Sequence, residues 1–327
     1  MDLFEEKIKP MLAFPSGVFN SNEWLFEEKF DGTRCIAYVD KEKKSVKMLN
    51  RRMIFFEKRY PEFQDLWKHV NAKKVILDGE IVVLKNGKPD FYLLEEREHV
   101  EETLRVEILS ELNPATYFIF DILYLNGKDL TSLPLIERKK FLKEVVEETE
   151  RIKIVKYVIG EGKKLFEEVK KKGFEGIVAK KIDSVYEIGK RSKNWLKIKF
   201  LKTLDAIICG YTKGEGWREK YFGALLLGIW DKGKLRYIGR VGTGWSEDDL
   251  KEITEKLKKL EIDENPFDIF EEEKLILEKV RFVKPKLVCE VKFMELTKDK
   301  KLRAPSFVRL REDKLSKDCI LEYSKKI

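Results

Sequence analysis

Short runs of β-branched and aromatic residues, parted by Asp-Gly and Asn-Gly pairs, fill the first half of the chain and confine it to a hairpin-rich, largely antiparallel architecture. Their alternation predicts strands over 24–29, 33–39, 45–49, 75–84 and 115–124. A helical apolar period then predicts helices over 134–149 and 162–172, the second stopped by Gly173. Strands return at 176–180 and 195–200.

Beyond Lys202 the pattern changes. Residues 205–211, 222–230, 234–239 and 287–293 read as half-buried strands, and 246–260 as a helix capped by Ser246 and the acids behind it. Several short strands with one intervening helix fit a small Greek-key barrel such as the OB-fold; a sandwich fits the same spacing. The stretch 262–284, acidic and then basic, reads as an extended connection. A chain of 327 residues is long for one core and comfortable for two. We therefore expect one domain over 1–201 and a second over 202–327.

Charged residues make up 39% of the chain and apolar residues 43%, so each domain can bury a core beneath a charged surface. The net charge of +8 is shared between the two halves, with no basic tail standing apart. Such an excess favours a polyanionic partner without naming one, and a Lys/Glu-rich surface is equally a feature of heat-stable proteins. Cys35, Cys209, Cys289 and Cys319 show no C-x-x-C spacing, and only His69 and His99 could complete a metal site, which argues against structural zinc. The start of the chain carries no secretory apolar region, and no apolar run approaches a membrane span. The expectation is a cytoplasmic protein with free thiols and no membrane partner.

The sharpest local feature is Glu27-Glu28-Lys29-Phe30-Asp31-Gly32-Thr33-Arg34, where a lysine ends a predicted strand just before an Asp-Gly turn. Alone, it is equally an ordinary hairpin corner. Further along stand Asn50-Arg51-Arg52, Asp78-Gly79-Glu80, Phe120-Asp121-Ile122-Leu123, Glu175-Gly176-Ile177-Val178-Ala179-Lys180 and Trp195-Leu196-Lys197-Ile198-Lys199. The last element runs from Leu302-Arg303-Ala304-Pro305 through Arg309-Leu310-Arg311-Glu312-Asp313-Lys314. In this order the elements resemble the motifs of the covalent nucleotidyltransferases, the superfamily of ATP-dependent DNA ligases, RNA ligases and mRNA capping enzymes. The resemblance covers nearly the whole chain. It narrows to the ligase domain of the bacterial and archaeal ligase D type through Ile8-Lys9-Pro10-Met11, Gly239-Arg240-Val241-Gly242 and Lys284-Pro285-Lys286-Leu287. Asn50 and Arg52 depart from the Ser-Arg-Asn that ligases carry there.

This resemblance implies an α+β fold: an ATP-grasp-like adenylation domain of antiparallel sheets and helices, followed by a C-terminal OB-fold. It implies that Lys29 attacks the α-phosphorus of ATP and carries AMP as a phosphoramidate. An unperturbed lysine, with a pKa of about 10.4, is mostly protonated at neutral pH, so nearby cations that disfavour a charged amine help. Lys197 and Lys199 are placed at the α-phosphate in that role, the alternative being the solvated face of an alternating strand. Glu80 and Glu175 are implied as ligands, direct or through water, of magnesium or manganese. Phe120 is implied to stack on adenine, with core packing as the alternative. Glu27, Arg34 and Arg51 complete the nucleotide site on the first domain, and Arg303, Arg311 and Lys314 bring cations to the pyrophosphate from the second. Arg51 and Arg191 are the implied DNA contacts.

The implied reaction is a three-step sealing of nicked duplex DNA, with break repair by end joining as its setting and Ku or a repair polymerase as a partner. The alternatives are an RNA ligase or a capping guanylyltransferase using the same lysine chemistry, and a non-catalytic nucleic-acid binder that keeps the fold. Only 28 residues precede Lys29, and no four-cysteine zinc site follows, which disfavours an NAD-dependent ligase.

Overall fold

The computed structural model describes residues 2–172, 174–271 and 280–321. The chain divides into two compact units, Met1–Lys199 and Phe200–Ile327.

Two sheets build the first unit. One runs in the order Leu12–Pro15, Arg191–Lys199, Gly176–Lys181, Trp24–Lys29, Tyr157–Ile159. The other runs Ser45–Asn50, Thr33–Asp40, Lys74–Lys85, Ala115–Leu125, Lys128–Asp129, with Ile152–Ile154 added in parallel on Ala115–Leu125. The predicted strands of this half are present, each within a few residues of its expected ends. The strands alternate as the sequence does, and their inner faces make two cores. Cys35, Val75, Leu77, Tyr117 and Leu142 belong to the core that the second sheet shares with the helix Leu135–Val145. Ile36 and Phe120 of the second sheet and Trp195 of the first, with Ile8, Met11 and Phe30 from the connecting segments, form the core where the sheets meet.

The helix expected over 134–149 ends at Val145. Val146 turns extended, bridges Val70, and the Glu147 amide donates to the His69 carbonyl at 2.9 Å. Thr149 then accepts from the amides of Arg151 and Ile152, a side-chain turn that competes with helix. The helix Gly162–Lys172 has its expected ends; its predicted stop, Gly173, lies outside the described residues. Two helices not read from the sequence, Phe91–Glu98 and Thr103–Leu112, lie between the strands Lys74–Lys85 and Ala115–Leu125. The first is capped by Asp90, whose carboxylate accepts from the amides of Tyr92 and Leu93.

The second unit is a single curled sheet in the order Lys234–Val241, Phe222–Asp231, Lys202–Lys213, Val280–Phe293, with Ser306–Leu310 paired to Val280–Phe293. One helix, Glu247–Lys258, separates the third strand from the fourth, and Ser246 and Asp249 close a reciprocal capping box at its start. Three hairpin-connected strands, a helix and then two long strands, with the two-residue strand Glu261–Ile262 paired on Val280–Phe293, are the order of an OB-fold, and the barrel reading holds over the sandwich. The connection expected over 262–284 needs correction. Residues 280–284 belong to the strand Val280–Phe293, because bulged pairing with Lys202–Lys213 carries that strand past Leu287 to the Thr212↔Val280 pair. Residues 272–279 of that stretch lie outside the described residues. No helix among the described residues is long and apolar enough to cross a membrane.

Candidate active site

Lys29 ends the strand Trp24–Lys29, and the register carries it across Gly176 to Lys199. Side chains two residues apart share a face of a strand, so Glu27 and Lys29 lie on the same side of the sheet as Val178 and Lys180, and as Lys197 and Lys199. The position between Lys29 and Lys199 requires glycine. Gly176 has φ 153°, and a Cβ there would lie 2.1 Å from the Ile198 carbonyl oxygen.

Glu175, the next residue back, holds both lysines. Its Oε2 is 2.6 Å from Lys29 Nζ and its Oε1 pairs with Lys199 Nζ. Burial works to raise the Glu175 pKa, but the Lys29 and Lys199 ammoniums outweigh it and hold this carboxyl below its ordinary value.

The turn after Lys29 packs directly on the strand that carries Glu80. A Cβ on Gly32 would lie 2.2 Å from the Ile81 carbonyl oxygen and 2.9 Å from Glu80 Cγ. Burial lifts Glu80 to about 7, against the pull of Lys29 and Arg34. Among the described residues Glu80 makes no ion pair within 4.0 Å, so this half-buried carboxylate feels Lys29 and Arg34 only at a distance. Lys197 is shifted down, first by burial and then by Lys199 and Arg191.

Other predicted residues are engaged with the protein itself. Arg34 Nε and Nη2 donate to the two Asp78 oxygens at 2.6 Å each, and the Tyr186 hydroxyl donates to the same carboxylate at 2.7 Å. Its planar fork therefore braces the second sheet. Phe120 is an extra residue in its strand, since Asp78 faces Asp121 while the next residue, Gly79, faces Ile119. Its ring is 9% exposed and meets Trp195 edge to face at 6.1 Å. Arg34 stands 4.5 Å and Lys180 Nζ 4.0 Å from its centroid. In this structure Phe120 packs in the core where the sheets meet, with Arg34 and Lys180 over its ring.

Glu27 is buried and pairs with Lys139 and, at 2.6 Å, with Lys180. Burial pushes Lys180 down to about 8, with Glu27 opposing. Lys139 and Lys180 carry no role in the sequence reading. Lys180 stood within a quoted motif; Lys139, on a helix 112 residues from Glu27, gave no signal.

Arg51 lies exposed just past the strand Ser45–Asn50. Arg191, exposed at the head of its strand, donates from Nη1 to the Ala13 carbonyl at 2.6 Å. Within the second unit, Arg311 grips Asp313 with Nε and Nη2 and Asp205 with Nη1, at 2.8–2.9 Å. Lys314 stands 3.8 Å from Asp205, and Arg303 pairs with Glu295 at 2.8 Å.

The chain's relatives share this arrangement of elements. Residues 10–199 match the family described as the ATP dependent DNA ligase domain, and residues 218–314 match the ATP dependent DNA ligase C terminal region. The multifunctional non-homologous end joining protein LigD of Mycolicibacterium smegmatis is 37% identical over 97% of this chain. The DNA ligase of Archaeoglobus fulgidus is 36% identical over 88% of it. The chain spans 40% of the length of that LigD and 51% of that archaeal ligase. Among solved structures, the ligase domain of Mycobacterium tuberculosis LigD is 31% identical, with a TM-score of 0.53 over 98% of this chain and 100% of that one. A mycobacterial DNA ligase D complexed with ATP and MES is 30% identical, with a TM-score of 0.54 over the same shares. By fold, by the order of its motifs and by these relatives, the chain belongs to the ATP-dependent DNA ligase family.

Proposed function

We propose that this chain seals nicks in duplex DNA through a lysyl-AMP intermediate on Lys29. The observation that carries the reading is the Lys29–Glu175–Lys199 bridge beside Glu80, which holds an amine nucleophile among phosphate-binding cations. In the first step the Lys29 amine, freed of its proton, forms a P–N bond to the α-phosphorus of ATP, and the bond to pyrophosphate breaks. Lys197 and Lys199 lie on the same sheet face and neutralise the oxygens of that phosphate as charge builds on them. The AMP then passes to the 5′-phosphate at the nick, and the 3′-hydroxyl displaces it.

The residues fit a divalent cation. Two carboxylates with waters and a substrate phosphate are what magnesium takes, and Glu80 is a half-buried carboxylate that makes no ion pair among the described residues. Glu80 and Glu175 would hold the ion, magnesium or manganese, which when bound draws charge from the phosphate oxygens. Glu27, Arg34 and Phe120 lie together on the nucleotide side, where Lys180 touches both Glu27 and the Phe120 ring. Arg303, Arg311 and Lys314 are assigned to the leaving pyrophosphate, with residues 1–201 as the adenylation domain and 202–327 as the OB-fold domain. Exposed Arg51 and Arg191 are assigned to DNA phosphates. The end-joining name of the LigD relatives supports a role in break repair; a cytoplasmic setting and Ku or a repair polymerase as partner are part of the same proposal.

Incubation with ATP and magnesium should add one AMP to the protein by mass spectrometry, and Lys29→Ala should abolish it. A Lys29→Ala variant that still gained AMP would sink the reading. Sealing of nicked RNA but not of nicked DNA would move it to an RNA ligase.

A further inference from the structure

The strands Lys202–Lys213 and Phe222–Asp231 are joined by residues 214–221, a loop with an unusual tip. Trp217 is 70% exposed there, whereas Phe55 and Tyr157, the other exposed aromatics among the described residues, are each 39% exposed. The loop is internally bonded. The Gly214 amide donates to the Tyr221 carbonyl at 3.0 Å, and the Tyr221 amide returns to the Arg218 carbonyl at 2.8 Å. Two glycines make that closure possible. Gly216 has φ 59°, and a Cβ on Gly214 would lie 2.0 Å from the Arg218 carbonyl oxygen. A short 3-10 turn, Gly216–Arg218, thus presents the indole to solvent on a braced support, and the Arg218 guanidinium lies 5.5 Å from its centroid.

A large apolar ring held out of the core in this way is a contact surface. Two cations, Arg218 and Lys220, balance the loop's two acids, Glu215 and Glu219, and Lys213 at the end of the preceding strand leaves a single positive excess beside the indole, the sign that suits an anionic partner. In OB-folds the loop joining the first two strands is one of those that bind oligonucleotides, and exposed aromatics there stack on bases whatever their sequence. We infer that Trp217 is a DNA contact: its indole stacks on a base unstacked at the strand break, and Arg218 takes the adjoining phosphate. The inference rests on the ligase reading above and adds to it a binding residue from the second unit.

The test is binding of a fluorescent nicked duplex, and of the same duplex intact, to the full chain without divalent metal, with AMP labelling measured in parallel. Losing one base stack should weaken binding of the nicked duplex by about tenfold in Trp217→Ala. Trp217→Phe should stay within about threefold, and both variants should take up AMP as the parent does. Arg218→Ala should lower the salt dependence of binding by about one phosphate contact. A Trp217→Ala variant that binds the nicked duplex like the parent overturns the inference, as does an equal loss on nicked and intact duplex. A parent that neither takes AMP nor binds nicked DNA would instead overturn the ligase reading beneath it.

Discussion

The two units differ in how deep their ion pairs reach. In the first, acids and bases are carried into the interior. Asp121 and Arg138 pair with no exposed side-chain surface on either, Glu27 is enclosed by Lys139 and Lys180, and buried Arg97 meets a Glu62 that keeps only an edge in water. In the second, the pairs of the final strand and its neighbours stay near water, as with Arg309 and Glu290, or Lys256 between Glu252 and Glu312. Buried pairs seldom add net stability, because desolvation cancels most of the attraction, whereas breaking one is expensive. Such pairs in the first unit therefore act as fixed geometry around a site that needs its charges held in place. In the second unit the one buried acid among the described residues, Asp231, pairs with Arg236 and Lys300, which both reach water, so its pairs lack that confinement.

Breaking a buried pair is the strongest test of this contrast. Arg138 donates from Nε and Nη2 to the two Asp121 oxygens at 2.8 and 2.9 Å, and from Nη1 to the carbonyls of Leu133 and Ser184. Arg138→Met leaves a buried carboxylate with no counter-ion and only the Ile122 amide as donor, and should lower unfolding free energy by about 3–5 kcal/mol in urea titration. Adding Asp121→Leu should restore much of that loss. A single variant costing less than about 1 kcal/mol would show that the pair is not confining.

A smaller effect, with the opposite sign for stability and function, is expected at Glu80. Its folded-state pKa of about 7 lies above the ordinary 4.5, so the folded protein keeps a proton that the unfolded chain releases. The stabilisation is complete below about 4.5 and is lost as pH rises through about 7, provided no metal is bound. In the presence of chelator, Glu80→Gln should flatten that slope and raise stability at pH 8, on the order of 1 kcal/mol after allowance for partial exposure. AMP uptake should fall in the same variant. Equal pH profiles for the two proteins would mean that Glu80 is well solvated.

Much of this was legible in the chain because chemistry that depends on backbone spacing leaves a linear trace. Lys29, Gly176 and Lys199 stand in register because two strands alternate and a glycine is forced between them, and the motifs preserve that spacing. The second unit was legible for a similar reason, since strand alternation and the Ser246 cap are local. Partners that meet only through tertiary packing left no trace. Lys139 belongs by periodicity to an amphipathic helix, and nothing near it in sequence announces that it will face Glu27. Arg34 and Phe120 were legible as important positions, yet the sequence could not say that Asp78 would take the guanidinium or that a strand bulge would set the ring against Trp195. The helix Thr103–Leu112 escaped notice because its apolar residues do not gather on one buried face. Leu104, Ile108 and Leu112 point outward and only Val106 is buried.

The exposed side of the contrast is sharpest at Arg309, whose Nε donates to Glu290 at 2.8 Å across the pairing of Val280–Phe293 with Ser306–Leu310. The arginine is 62% exposed, so water competes for the bond and salt screens it. Holding two long side chains in one geometry also costs rotamer freedom, which offsets most of the remaining attraction. Arg309→Ala should therefore change unfolding free energy by about 0.5 kcal/mol or less, and the difference should vanish near 1 M salt. A loss as large as that of Arg138→Met would show that exposure does not govern the worth of these pairs. The division between a confined unit and a solvated one would then fail.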